Sequence, residues 1–386
     1  MESYNAQAVS FFDQDPAMLE ALLPAWGERS FRATQLLKWV YQRNIIDLDA
    51  MTDLGKALRE KLKHSFSWEL PLIVRENLSS DGTIKWLLQV AGGNFIETVY
   101  IPEAKRGTLC ISSQVGCMLN CSFCSTATQG FNRNLKTSEI IGQVWLATQR
   151  LIALNRTPGI TNVVLMGMGE PMLNLDQVVP ALRLMLNDRA LGLSKRKVTL
   201  STSGVVPNIA LLQSQVDVAL AVSLHAPNDP LRNTLVPINK KYPLKELIAA
   251  CKAYIGPEKK RSITMEYVML KDVNDTQAIA KELIRLLEGV HCKINLIPFN
   301  PFPGAKYECS DYNTILNFQK KLNTAGFVTT IRKTRGQDID AACGQLVGKI
   351  IDKTSRQERH DSKNDASHSS PTNLSNRIPI VVNAVL

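Results

Sequence analysis

The sequence predicts an α/β chain: a partial (β/α)6 barrel with a small N-terminal helical accessory domain and a short β-rich connector. Three observations predict it. From Gly107 onward short apolar runs alternate with amphipathic stretches of helical period, the first 65 residues carry helical patterns, and β-rich runs broken by glycine turns lie between the two.

At the N-terminus, Thr34 to Tyr41 (TQLLKWVY) and Asp53 to His64 (DLGKALREKLKH) repeat apolar side chains at helical spacing beside cations, which reads as a basic helical module. Between Leu70 and Tyr100 the runs LIVREN, TIKWLLQV and NFIETVYI are punctuated by Asp81-Gly82 and Gly92-Gly93, the signature of a small meander. The barrel strands then read TLCISS, NVVLMGMG, KVTLSTS, DVALAVSLH, SITMEYVML and KINLIPFNP. The helices between them read SEIIGQVWLATQRLIAL, DQVVPALRLML, NIALLQSQ, LKELIAACKAYI and TQAIAKELIRLLEG, and YNTILNFQKKLNTA precedes a last strand, VTTIRK. Six strand-helix pairs are two short of a closed eightfold barrel. Polar or glycine-rich words follow several strands (GMGEP, STSG, SLHAPND, PFNP), so one site is expected where the C-terminal strand ends meet.

The boundaries implied are 1–65 for the helical domain, 66–102 for the connector, 103–340 for the barrel core, 341–353 for a C-terminal segment and 354–386 for a tail. That tail is rich in Ser, Asn, Asp, His and Arg and is expected to be disordered. Its closing RIPIVVNAVL is too short to cross a membrane and suggests no role.

Apolar residues at 45% and charged residues at 21% describe an ordinary globular chain and exclude a fibrous or wholly disordered one. No run approaches the roughly 20 apolar residues of a membrane span, and the first residues lack a signal-peptide pattern, so a cytoplasmic location is expected. Lys plus Arg exceed Asp plus Glu by 45 − 35 = 10. Such a field favours a polyanionic partner, although a basic surface also serves solubility.

Eight cysteines in 386 residues are too dilute for a disulfide scaffold, yet Cys117, Cys121 and Cys124 crowd into eight positions with C-x3-C-x2-C spacing. Three thiolates on one loop can grip three irons of a cubane and leave the fourth iron open. The rival is a zinc site completed by a distant ligand such as His225. Context favours the cubane: the loop follows the first barrel strand, Phe123 adjoins the third cysteine, and Gly167-Met168-Gly169-Glu170-Pro171 lies downstream. Over roughly residues 103 to 340 the chain thus resembles the radical S-adenosylmethionine (SAM) superfamily. TLCISSQVGC, FCSTATQGFNRNL, VVLMGMGEPMLN, LSTSG, SLHAP, LIPFNP and RGQDIDAACGQL are similar to its RNA adenine methyltransferases.

That resemblance implies a 4Fe-4S cluster on the three cysteines, with SAM on the open iron. It places cofactor contacts at Gly169, Glu170, Ser201, Ser223, Leu224, His225 and Asn300. It implies methylation of adenosine carbon 2 in 23S rRNA, at the peptidyl-transferase centre, and in tRNA just 3' of the anticodon. Carbon 2 is electron-poor and cannot attack a methyl sulfonium, so a methyl carrier is needed. The resemblance assigns that role to Cys343, whose thiolate takes a methyl group from one SAM, while a second SAM yields the radical that activates it. It assigns the resolving thiol, which closes a transient disulfide with Cys343, to Cys110, and the proton acceptor to Glu97.

Without the resemblance, Cys110 reads equally well as a buried structural thiol, Glu97 as a solvated strand glutamate and His225 as an ordinary strand-end histidine. Cys251, Cys292 and Cys309 read as packing residues. The basic runs Lys195-Arg196-Lys197, Lys240-Lys241, Lys259-Lys260-Arg261 and Arg332-Lys333-Arg335 suit phosphate contacts with a folded RNA whose target base is splayed out. The remaining expectations are an external, flavodoxin-like one-electron reductant, a monomer and no membrane partner. Two alternatives stay open: carbon 8 methylation by an antibiotic-resistance relative, and a non-catalytic zinc-dependent RNA-binding module.

Overall fold

Strands and helices alternate from Arg106 to Ile331 as the periodicity requires, and the computed structural model describes residues 9–257 and 261–346. The expected tail at 354–386, the end of the 341–353 segment and Lys259-Lys260 lie outside the described residues.

The N-terminal part runs β1 (Val9–Ser10), α1 (Pro16–Ala25), α2 (Phe31–Leu37), α3 (Lys56–Ser65) and β2 (Phe66–Ser67), with β1 and β2 paired in parallel. Asp15 starts α1 by accepting the Met18 amide at 2.9 Å, with Pro16 in the first turn. The expected helix over 34–41 is α2 plus a π turn at Lys38–Gln42, and Trp39, Val40 and Tyr41 are all buried there. Phe11, Phe12, Phe66 and Trp68 stack or meet edge-on to form the aromatic centre of this part.

Next come β3 (Leu72–Leu78), β4 (Ile84–Val90), β5 (Asn94–Glu103) and β6 (Arg106–Cys110), an antiparallel series. The turn glycines Gly82, Gly92 and Gly93 adopt the positive φ that their place between strands demands. The meander is an extension of the barrel sheet, because β5 is long enough to pair with β6 from Val99 to Glu103 as well as with β4.

β7 (Gln114–Gly116), α4 (Ser125–Thr128) and β8 (Phe131–Asn134) then frame the cysteine loop. They lead to α5 (Thr137–Ala153), β9 (Asn162–Leu165), α6 (Leu175–Leu186), β10 (Val198–Thr202), α7 (Val206–Gln215), β11 (Ala219–Ser223), α8 (Asp229–Leu235) and α9 (Leu244–Ile255). β12 (Ile263–Met269), α10 (Gln277–Leu286), β13 (Cys292–Pro298), α11 (Tyr312–Thr324) and β14 (Val328–Ile331) complete the series. The ten-stranded sheet has the order β14-β13-β12-β11-β10-β9-β6-β5-β4-β3, parallel from β14 to β6. Among the described residues its two edges do not pair, so the barrel is open, as six strand-helix units imply.

Alternation on each strand decides what faces inward. In β10, Val198 and Leu200 are fully buried while Thr199 and Ser201 line the barrel interior. The N-terminal helices dock on α5: Trp145 Nε1 donates to the Val40 carbonyl at 2.8 Å, and Asp13 accepts the Ser138 amide at 2.7 Å. Among the described residues no helix is long and apolar enough to cross a membrane.

Candidate active site

The C-terminal ends of β9 to β13 surround a cavity of about 150 Å³. Cys117, Cys121 and Cys124 line it, together with Gly169, Glu170, Ser201, Ser223, His225, Asn300 and Cys343. Of the expected cofactor contacts only Leu224 is absent from the wall. Its side chain is fully buried in the core.

The cysteine loop is held from several sides. Cys117 N–H donates to the Gly130 carbonyl at 2.8 Å, Ser122 N–H to the Leu235 carbonyl of α8 at 3.1 Å, and Ser125 N–H to the Gly344 carbonyl at 2.8 Å. Burial together raises all three thiols: Cys117 well above the ordinary range, Cys121 to about 12, and Cys124 upward, with their mutual repulsion adding to the effect at Cys117 and Cys121. Such thiols ionise readily only when a metal supplies positive charge.

Gly169 makes the approach of the GMGEP segment possible. Its φ is +99°, and a Cβ there would stand 2.5 Å from the Gln114 side chain. Gln114 in turn accepts the Glu170 amide at 2.9 Å. The Glu170 carboxylate accepts Met172 N–H at 3.0 Å and Ser203 N–H at 2.7 Å, and among the described residues no cation pairs with it. Burial raises its pKa, and these backbone donors oppose the rise. A buried carboxylate held by neutral donors at the cavity wall suits the ammonium of an amino acid.

His225 has φ +59° and accepts the Val268 amide on Nδ1 at 3.0 Å, and burial pushes its pKa down to about 3. It is a neutral, oriented ring against Phe123, centroids 4.5 Å apart. Asn300 Nδ2 donates to the Cys343 carbonyl at 3.3 Å, so this side chain also steadies the segment bearing Cys343.

That segment leaves β14 and is latched onto the β3–β4 turn. Asp338 accepts from Ser79 Oγ at 2.5 Å and Ser80 N–H at 3.0 Å, Asp81 accepts Gly336 N–H at 3.1 Å, and Lys85 Nζ donates to the Asp340 carbonyl at 3.1 Å. Beyond Cys343, Gln345 donates to the Pro301 carbonyl and Thr126 to the Leu346 carbonyl, both at 2.8 Å. Burial raises the Cys343 thiol, and the Arg332 guanidinium opposes the rise. Cys110 ends β6 behind the cavity wall, raised by burial to about 12. Both are free thiols, as are all eight cysteines. Glu97, on β5, does not line the cavity; it forms a buried ion pair with Lys85 at 3.0 Å.

A second cavity, about 1420 Å³, opens at the N-terminal strand ends. Arg106, Lys195, Arg196, Lys293, Lys333 and Arg335 are on its wall. Lys240 and Lys241 are not. The two cavities share Met166, Glu266 and Arg332, so the thiol site and the basic one adjoin at these side chains.

Sequence patterns alone do not single out Ser203, Glu266, Arg232 and Arg332 as parts of the site. Glu266 carries a signal, a lone carboxylate inside the apolar run SITMEYVML. Ser203 belongs to the LSTSG word, Arg332 to the basic run Arg332-Lys333-Arg335, and Arg232 carries none.

The donor set fits an iron-sulfur cluster with SAM beside it: three buried thiols on one loop, an adjacent carboxylate for an ammonium group and a fourth thiol on the same cavity wall. Among the described residues no three His, Cys, Asp or Glu side chains converge where a single ion would sit. A cubane takes each thiolate on a different iron.

Comparison with known proteins agrees. Residues 9–67 match the family model "Ribosomal RNA large subunit methyltransferase N-terminal domain", and residues 111–283 match the radical SAM superfamily. The chain is 58% identical over 351 residues to the dual-specificity RNA methyltransferase RlmN of Alkalilimnicola ehrlichii, covering 91% of this chain and 97% of that protein. It is 56% identical over 345 residues to the RlmN of Pseudomonas fluorescens, covering 89% and 90%. A crystal structure of a radical SAM methyltransferase from Sphaerobacter thermophilus aligns with a TM-score of 0.82 at 44% identity, covering 88% of this chain and 99% of that one.

Proposed function

The chain belongs to the RlmN family of radical SAM RNA methyltransferases, and on that premise we propose that it methylates carbon 2 of adenosine in 23S rRNA and in tRNA through Cys343. The supporting observation is that Cys343 shares one cavity wall with the three cluster thiols and Glu170.

When bound, the cluster and SAM supply a methyl group for the carrier and a carbon-centred radical to activate it. Cys117, Cys121 and Cys124 hold the cluster, Glu170 fixes the SAM ammonium, and Ser201, Ser223, His225 and Asn300 border the rest of the cofactor. The Cys343 thiol would give its proton to solvent and take up, on its sulfur, the methyl group that SAM supplies. The activated S-methyl carbon then joins adenine carbon 2. That carbon's proton would go to Glu97, which pairs with Lys85; Cys110, giving up its thiol proton, would bond to the Cys343 sulfur as the carbon-sulfur bond breaks, a returning proton would complete the methyl group, and the one surplus electron would leave to the electron-transfer partner.

The basic cavity would supply phosphate contacts for the RNA, with the target base entering past Met166, Glu266 and Arg332, where the two cavities adjoin. An external flavodoxin-like donor supplies electrons, and the protein works as a cytoplasmic monomer. Residues 1–65 and 66–102 act as the RNA-binding module and its connector to the 103–340 core.

Cys343→Ala tests the reading. Anaerobically reconstituted protein should keep its iron and sulfide and lose RNA methylation, scored by mass spectrometry of nucleosides. Full methylation by the variant ends the carrier mechanism. 8-Methyladenosine from the unaltered protein transfers the reading to carbon 8, and zinc in place of iron ends both.

A further inference from the structure

Arg232 on α8 is fully buried, yet it lines neither cavity. Among the described residues its guanidinium meets neutral acceptors: Nε donates to the Leu224 carbonyl at 3.0 Å, Nη1 to Asn239 Oδ1 at 2.8 Å, and Nη2 to the Ser203 and Ser223 carbonyls at 2.8 and 3.0 Å. The carboxylate of Asp229 is one step removed, accepting from Asn239 Nδ2 at 2.8 Å and from Leu244 N–H at 2.9 Å. A buried cation on uncharged acceptors is costly unless a negative charge lies close by.

The three carbonyls belong to the ends of β10 and β11, where the cofactor cavity begins. Ser203 joins the pieces: its carbonyl takes Arg232, its amide serves Glu170 at 2.7 Å, and it shares the cavity wall with Cys121, whose loop is tied to α8 by Ser122 N–H on the Leu235 carbonyl at 3.1 Å. One planar fork thus spaces the two strand ends, Glu170 and the cluster loop, a task that a single ammonium cannot perform.

We infer that Arg232 is a positioning residue with two separable effects: its fork sets the SAM-binding geometry of β10, β11 and Glu170, and its buried charge stabilises the anionic, thiolate-ligated cluster. Burial lowers the guanidinium pKa to about 10, which leaves it charged at neutral pH. Each electron added to the cluster makes it more negative, so a nearby cation favours the reduced form.

The inference rests on the radical SAM reading and is tested on anaerobically reconstituted full-length protein. Arg232→Lys keeps the charge and loses the fork: SAM affinity should weaken about tenfold while the cluster midpoint potential, followed by electron paramagnetic resonance, holds. Arg232→Gln loses both: SAM weakens similarly, and the ratio of reduced to oxidised cluster at a fixed ambient potential falls about tenfold, a shift of about 59 mV to lower potential. Unchanged SAM affinity in the lysine variant overturns the inference, as does an unchanged potential in a folded glutamine variant. If glutamine does not fold, the lysine variant decides alone. Failure of both to fold makes Arg232 purely structural and also overturns it. Unaltered protein without a cluster instead defeats the family reading.

Discussion

The two ends of the barrel handle charge in opposite ways. At the C-terminal strand ends burial pushes each group toward its neutral form: the thiols and Glu170 titrate high, and His225 titrates low. At the N-terminal strand ends opposite charges are paired, Lys195 and Arg261 with Asp217 at 2.6 and 2.9 Å and Arg106 with Glu103 at 2.7 Å. A desolvated end suits a metal and a sulfonium, whose charges the site lacks. A hydrated cationic end suits a polyphosphate chain that exchanges counterions. One open sheet thus separates a desolvated thiol site from a cationic cavity by the length of its strands.

The largest effect that sharpens this contrast is expected at Glu170. Glu170→Gln should weaken SAM by roughly 10- to 100-fold, about 1.5–3 kcal/mol for a charged hydrogen bond. RNA affinity and iron content should hold. Calorimetric titration with SAM checks it, and an equal loss of RNA binding would show that the two ends are not independent.

At the other end, Lys293→Ala with Lys333→Ala should weaken RNA and reduce the salt slope of binding by about one for each phosphate that is no longer neutralised. SAM affinity is expected to stay as it was. Filter binding across a salt series measures this, and an unchanged slope would place the RNA elsewhere.

The smallest effect concerns the latch beside the carrier segment. Burial alone would raise the Asp81 pKa, but hydrogen bonds from Thr83 and Gly336 outweigh it and hold the carboxyl down at about 2. A depressed folded-state pKa stabilises above the ordinary carboxylate value, and that stability is lost as the pH falls toward 2. Hydrogen exchange at 336–346 should therefore be unaffected between pH 7 and 5 and speed up below pH 4, after correction for intrinsic rates. Asp81→Asn should lessen that pH dependence, with Asp338, held down by Ser79 and Ser80, keeping the remainder.

Much of the fold was legible because period-2 and period-3.6 patterns report which face is buried, and the three cysteines announce themselves by spacing. Patterns of that kind are local. The joining of β5 to β6 depends on pairing, and α8 is only seven residues long. Arg232 meets Ser203 from 29 residues away, and Asp338 meets Ser79 from 259. Glu97 reads as a solvated strand residue until its partner Lys85 is seen on the neighbouring strand.

The backbone around Cys343 is pinned on both sides, by Asn300 on its own carbonyl, by Ser125 on that of Gly344, and by the Gln345 side chain on the Ala342 amide at 3.3 Å. The sulfur therefore travels chiefly by rotation about one side-chain bond, which has three staggered stations. On the proposed mechanism the methyl donor, the nucleobase and Cys110 are also three, so Cys343 would work as a turnstile, changing partners while its post stays fixed.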